Sequence, residues 1–69
     1  MTLEDFRIEC GWSKTEMARQ ANMDFNTFNK AMSGASISAR TADKLAIAIS
    51  KRTGRTIRVK DIEGLNISK

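Results

Sequence analysis

The sequence predicts an all-α domain of four main helices followed by a short tail, and three observations predict it. Residues whose side-chain oxygen can cap free backbone N–H groups recur at Thr2, Ser13, Asp24 and Ser38. Gly11, Gly34 and Gly54 can each take the left-handed conformation that closes a helix. Between these starts and stops, apolar residues return at three- and four-residue steps, the spacing that gives each helix one buried stripe, and no proline interrupts them.

The first helix, near residues 3–10, starts behind Thr2. Glu4 and Asp5 in its opening turn suit the positive end of the helix dipole, and it buries Leu3, Phe6 and Cys10. The second, near 14–21, starts with the capping box Ser13-x-x-Glu16, and Trp12 with Met17 forms a hydrophobic staple across the cap. The third, near 25–33, has Asp24 as cap, Met23 with Phe28 as staple, and Phe28 and Ala31 on its buried side. The fourth, near 39–53, is capped by Ser38, stapled by Ile37 and Ala42, and buries Ala42, Leu45, Ala46 and Ile49. No glycine separates the second helix from the third. Asn22 stands in that turn, and Asn is the next residue type after glycine to tolerate positive φ.

The tail, 55–69, is expected to start with a short extended stretch, since Arg55-Thr56-Ile57-Arg58-Val59 alternates polar and apolar residues. Lys60 to Glu63 then make one further helical turn, stopped by Gly64. Ile57, Val59, Ile62 and Leu65 are expected to close the core from outside.

Composition narrows the function. A chain of 69 residues fits one domain, and at this size only about 60% of the unfolded surface can be buried. No apolar run approaches the roughly 18 residues of a membrane span, and the start Met1-Thr2-Leu3-Glu4-Asp5 lacks the features of a secretory signal. These features predict a cytoplasmic protein with no membrane partner. The single cysteine, Cys10, has no internal disulfide partner, and without histidine the usual zinc ligands are missing. Catalysis is not expected, because Cys10 lies on an apolar stripe and Glu4, Asp5, Glu9 and Glu16 sit at helix starts and exposed faces. No cofactor and no small-molecule ligand is expected.

Charge is uneven along the chain. Residues 1–34 hold four basic side chains (Arg7, Lys14, Arg19, Lys30) and five acidic ones (Glu4, Asp5, Glu9, Glu16, Asp24), a net of −1. Residues 35–69 hold eight basic (Arg40, Lys44, Lys51, Arg52, Arg55, Arg58, Lys60, Lys69) and three acidic (Asp43, Asp61, Glu63), a net of +5. The basic half suits a polyanion, although for Lys44, Lys51, Arg52, Arg55, Arg58 and Lys60 a solvated surface is the simpler expectation.

Two short helices joined by a tight turn, the first carrying a small residue toward its partner, describe a helix-turn-helix. Ala18 is that small residue. The run Gly11-Trp12-Ser13-Lys14-Thr15-Glu16-Met17-Ala18, followed by Asn22 through Lys30 and Gly34, resembles the phage repressor and Cro family, also called XRE-like or lambda-repressor-like. That family's pattern, G-L-S-Q-x-E-L-A-x-x-x-G-V-S-x-x-x-I-S-x-x-E-x-G, fits without a gap, and the resemblance covers residues 3–50. Among the departures from it, Asn22 replaces the turn glycine, Lys14 replaces glutamine, and Met32 stands where many members carry a glutamate that pairs with the residue at Arg7. The fourth helix also runs about a turn longer. Residues 25–45 are also similar to the lac-repressor-type headpiece, which lacks a helix at 3–10.

The resemblance implies a sequence-specific transcriptional regulator that reads the major groove of a double-stranded DNA operator with its third helix, as a homodimer at least on DNA. With Phe28 and Ala31 buried, helical geometry turns Phe25, Asn26, Asn29 and Lys30 outward as candidate base readers. Asn makes bidentate contacts to adenine, Lys donates to guanine, and an aromatic ring packs on a thymine methyl. Candidate phosphate contacts are Ser13, Lys14, Thr15, Thr27, Ser33, Ser36, Ser38 and Arg40, where helix N-termini and the loop after the third helix favour anions. For the hydroxyls the alternative role is capping alone. The rival function is a protein-interaction module on the same scaffold, such as an antitoxin, anti-repressor or assembly subunit, docking through Phe25, Met32 and a C-terminal apolar strip.

Overall fold

Capping chemistry sets the helix starts. In the computed structural model, which describes residues 1–68, helix α1 (Leu3–Cys10) opens on a complete capping box. The Thr2 hydroxyl accepts the Asp5 amide at 3.2 Å, and the Asp5 carboxylate accepts the Thr2 amide at 2.9 Å. Helix α2 (Lys14–Gln20) is half of the expected box: Ser13 Oγ accepts the Glu16 amide at 3.1 Å. The Glu16 carboxylate does not reach back, because Arg19 and Gln20 donate to it from the next turn.

Helix α3 (Phe25–Ser33) starts at Asp24, but this side chain caps no backbone amide. Its carboxylate accepts a hydrogen bond from the Thr27 hydroxyl instead. Helix α4 (Ala39–Thr53) starts on Ser38, whose Oγ accepts the Thr41 amide at 3.2 Å. The expected stops hold: Gly11, Gly34 and Gly54 are left-handed at φ 73°, 84° and 72°. Helix α2 ends one residue early, with Ala21 as its C-cap.

The four helices enclose one apolar centre. Phe28, Met17, Leu45 and Ile49 are its largest fully buried side chains, joined by Leu3, Phe6, Cys10, Ala31, Ala42 and Ala46. Every helix thus buries the stripe expected of it, and a burial of this kind contributes on the order of 1.5–3 kcal/mol per large side chain. Trp12 and Met23 are half-buried against the same core, as staple residues are. Arg7 lacks a glutamate at position 32 and turns to Glu4 (2.6 and 2.8 Å) and to the Trp12 carbonyl (2.8 Å), tying α1 to the start of α2.

The tail departs from expectation. Residues 55–58 pair with no strand, although Arg58 is extended as expected, and the helical turn is a 3-10 turn at Val59–Asp61, starting one residue and ending two residues before the expected Lys60 to Glu63. Paired backbone appears further on. Strand β1 (Ser36–Ile37), in the α3–α4 loop, pairs in parallel with strand β2 (Asn66–Ile67), and the Ser68 amide extends the ladder to the Ile37 carbonyl at 2.7 Å. The mainly helical domain therefore includes a two-residue sheet that ties the tail to the loop after α3. Ile62 is buried as expected, while Ile57, Val59 and Leu65 are half-buried. Ser50 holds the tail's first part, accepting the Ile57 amide at 2.8 Å and donating to the Ala46 carbonyl at 2.8 Å.

Candidate nucleic-acid interface

Turn geometry between α2 and α3 decides which way α3 faces. Asn22 has φ 58°, the only positive φ outside glycine among the described residues. This kink lets the Met23 amide return to the Ala18 carbonyl at 3.0 Å and the Asn22 amide to the Arg19 carbonyl at 3.0 Å. Ala18 is buried in the core that α2 and α3 share. From α4, Lys44 donates to the Asn22 carbonyl at 3.4 Å, a clasp that the expectation of a solvated lysine missed.

With Phe28 and Ala31 turned into the core, Phe25, Asn26, Asn29 and Lys30 are all exposed. The side chains of Asn26, Asn29 and Lys30 have no hydrogen-bond partner among the described residues, which leaves their donors and acceptors free. Phe25 is partly supported. Its ring lies 6.4 Å from that of Phe28 at a 31° tilt, and 43% of the residue is exposed.

The expected phosphate-contact residues divide into two groups. Ser13 and Ser38 cap α2 and α4, the Ser33 hydroxyl donates to the Lys30 carbonyl at 3.0 Å, and half-buried Thr27 donates to Asp24. These four hydroxyls already have partners within the fold. Lys14, Thr15, Ser36 and Arg40 are exposed with side chains that bond to no other described residue. Two of these four are cations, and Ser36 lies in the loop that the β2 pairing orders.

Two carboxylates at the starts of α2 and α3 are held below their ordinary values. The Thr27 hydroxyl holds the Asp24 carboxyl below its ordinary value, so a negative charge persists at the start of the helix near Lys30. The Glu16 carboxyl is likewise lowered, by the Gln20 amide and then by Arg19.

Two arginines expected on a solvated surface have structural partners. Arg52 donates to the Cys10 carbonyl at 3.0 Å, and Arg55 pairs with Glu9, so both join the end of α4 to the end of α1. Such pairing across more than forty residues leaves no local sequence signal. Cys10 is 2% exposed, and burial pushes its thiol above the ordinary value, as suits a core residue. Among the described residues no cluster of metal-ligating side chains occurs, and no helix is long and apolar enough to cross a membrane. No family model matches the chain, and neither the curated proteins nor the solved structures give a significant match.

Proposed function

We propose that the chain is a sequence-specific DNA-binding transcriptional regulator in which α2 and α3 act as a helix-turn-helix and α3 reads the major groove. The observation that carries this proposal is the outward face of α3, where Asn26, Asn29 and Lys30 stand exposed without internal partners beside half-exposed Phe25. Unpaired amides and an amine on a helix face match the donor and acceptor code of base edges. Lys14 and Arg40, exposed at the starts of α2 and α4, are the phosphate anchors, and the resemblance to phage repressors supports the same assignment. In this role the protein works in the cytoplasm, on a double-stranded operator, without cofactor or catalysis.

Selection of bound duplexes from a random pool tests the proposal. Enrichment of one motif, arranged as two-fold half-sites about 10 base pairs apart, is the expected result. Recovery of a pool no different from the input would remove it. One observation favours a second reading: Phe25, at 43% exposure, is an apolar anchor of the sort found in protein contacts. Salt separates the two, since binding through several phosphates weakens steeply as salt rises and an apolar protein contact does not.

A further inference from the structure

Helix α4 turns one side to solvent, and the charges on that side are unpaired. Ile47, 55% exposed, stands at its middle, with exposed Asp43 one turn before it and exposed Lys51 one turn after. Neither Asp43 nor Lys51 has an ion-pair partner among the described residues. They cannot satisfy each other, because a separation of two helical turns sets them about 11–12 Å apart along the axis. Lys44, a further cation on this side, donates to the Asn22 carbonyl, and both residues line the groove beside Ile47.

The stripe therefore runs negative, apolar, positive along α4, and an antiparallel copy of it runs positive, apolar, negative. We propose that this face of α4 is where two copies of the chain meet, about a two-fold axis beside Ile47, with Asp43 of each copy against Lys51 of the partner subunit. Residues four apart form a ridge on a helix surface, and two such ridges pack alongside each other when helices cross. Two-fold symmetry makes each contact occur twice, so one apolar pair and two ion pairs complete the stripe. A groove of about 170 Å³ beside Ile47, lined by Gln20, Ala21, Asn22, Lys44, Ala48 and Lys51, receives the neighbouring isoleucine, with the Lys44 ammonium held to the Asn22 carbonyl at its wall. Two crossed helices cover less than the roughly 800 Å² per partner of a standard complex, so the dimer is weak and its population depends on concentration. The proposal is independent of the DNA-binding function and stands or falls on self-association alone.

Sedimentation of the full chain from ~10 µM to ~1 mM tests it, with no DNA present. The parent is expected to shift from monomer to dimer across that range. Asp43→Lys alone and Lys51→Asp alone each set like charges against each other and are expected to weaken association about tenfold. Mixing the two single variants pairs opposite charges at both ends of the stripe, so the mixture is expected to associate as the parent does. The double exchange, D43K with K51D, restores the pairing within one chain and is expected to behave likewise. All three positions tested are on the surface, and Ile47→Asp is expected to be monomeric throughout. A parent that stays monomeric to the highest concentration would overturn the proposal, and so would a mixture that associates no better than its separate components.

Discussion

The Met23 amide reaches back to the Ala18 carbonyl at 3.0 Å, closing the turn between α2 and α3 across the left-handed Asn22. That conformation burdens any side chain with a Cβ, least so Asn, so the turn has a residue-specific energy. Asn22→Gly is expected to be neutral or stabilising by up to about 1 kcal/mol, whereas Asn22→Val should destabilise by about 1 kcal/mol or more. Denaturant unfolding of the two variants measures the difference, and equal stabilities would show that position 22 carries no such preference.

Ala18 lies buried at the same junction, 4% exposed, where α2 and α3 approach. Ala18→Leu adds volume to a packed contact and is expected to cost on the order of 1–3 kcal/mol. An unchanged melting temperature would show that the two helices are not held as closely as Ala18 implies.

Ser50 fastens the tail, its hydroxyl receiving the half-buried Ile57 amide at 2.8 Å. Ser50→Ala leaves that amide without its partner, which is expected to cost about 1–3 kcal/mol. Hydrogen exchange at the Ile57 amide should accelerate more than in α1. If neither stability nor exchange changes, the tail is held by its apolar residues alone.

Helix starts, stops and buried stripes are legible in the sequence because they depend on neighbours within about one turn. Thr2, Ser13 and Ser38 cap as their residue types imply, and Gly11, Gly34 and Gly54 close their helices. The outward face of α3 follows from the same periodicity. Asp24 shows the limit of this local rule: the residue type suits a cap, but a hydroxyl three residues on competes for its carboxylate. The β1–β2 pairing joins residues thirty apart, Ser36 to Asn66, and neither two-residue strand has a length or alternation that stands out from a loop. Arg52 and Arg55 look solvated in the sequence for the same reason, since their partners, the Cys10 carbonyl and Glu9, lie more than forty residues away.

Acid should loosen the helix starts. Asp5 is held below its ordinary value by the Thr2 amide, Glu4 by its hydrogen bond from Arg7, and Asp24 by the Thr27 hydroxyl. A carboxyl with a depressed folded-state value contributes stability that is present above the unfolded value, roughly 4, and lost as pH falls through the folded one. Melting temperature is therefore expected to be flat near neutrality and to fall below about pH 4. Asp5→Asn should reduce the slope of that fall. A slope unchanged in Asp5→Asn would show that the first capping box contributes nothing to it.

Reading DNA and holding it have separate signatures, and the proposed interface assigns residues to each. Asn26 and Lys30 present free polar groups on the outward face of α3, so Asn26→Ala or Lys30→Ala is expected to cost roughly 1–3 kcal/mol on the selected site and far less on unrelated duplex. Lys14 and Arg40 stand exposed at the starts of α2 and α4, and in the proposed interface they meet phosphate whatever the sequence. Replacing either with alanine should weaken binding to all duplexes alike and reduce the salt slope by about 1 for each phosphate no longer neutralised. Affinities for selected and random duplexes at several salt concentrations, with circular dichroism to confirm folding, measure both effects. If the Asn26 and Lys30 variants bind both duplexes like the parent, α3 does not read bases, and its exposed Phe25 becomes the anchor of a protein contact instead.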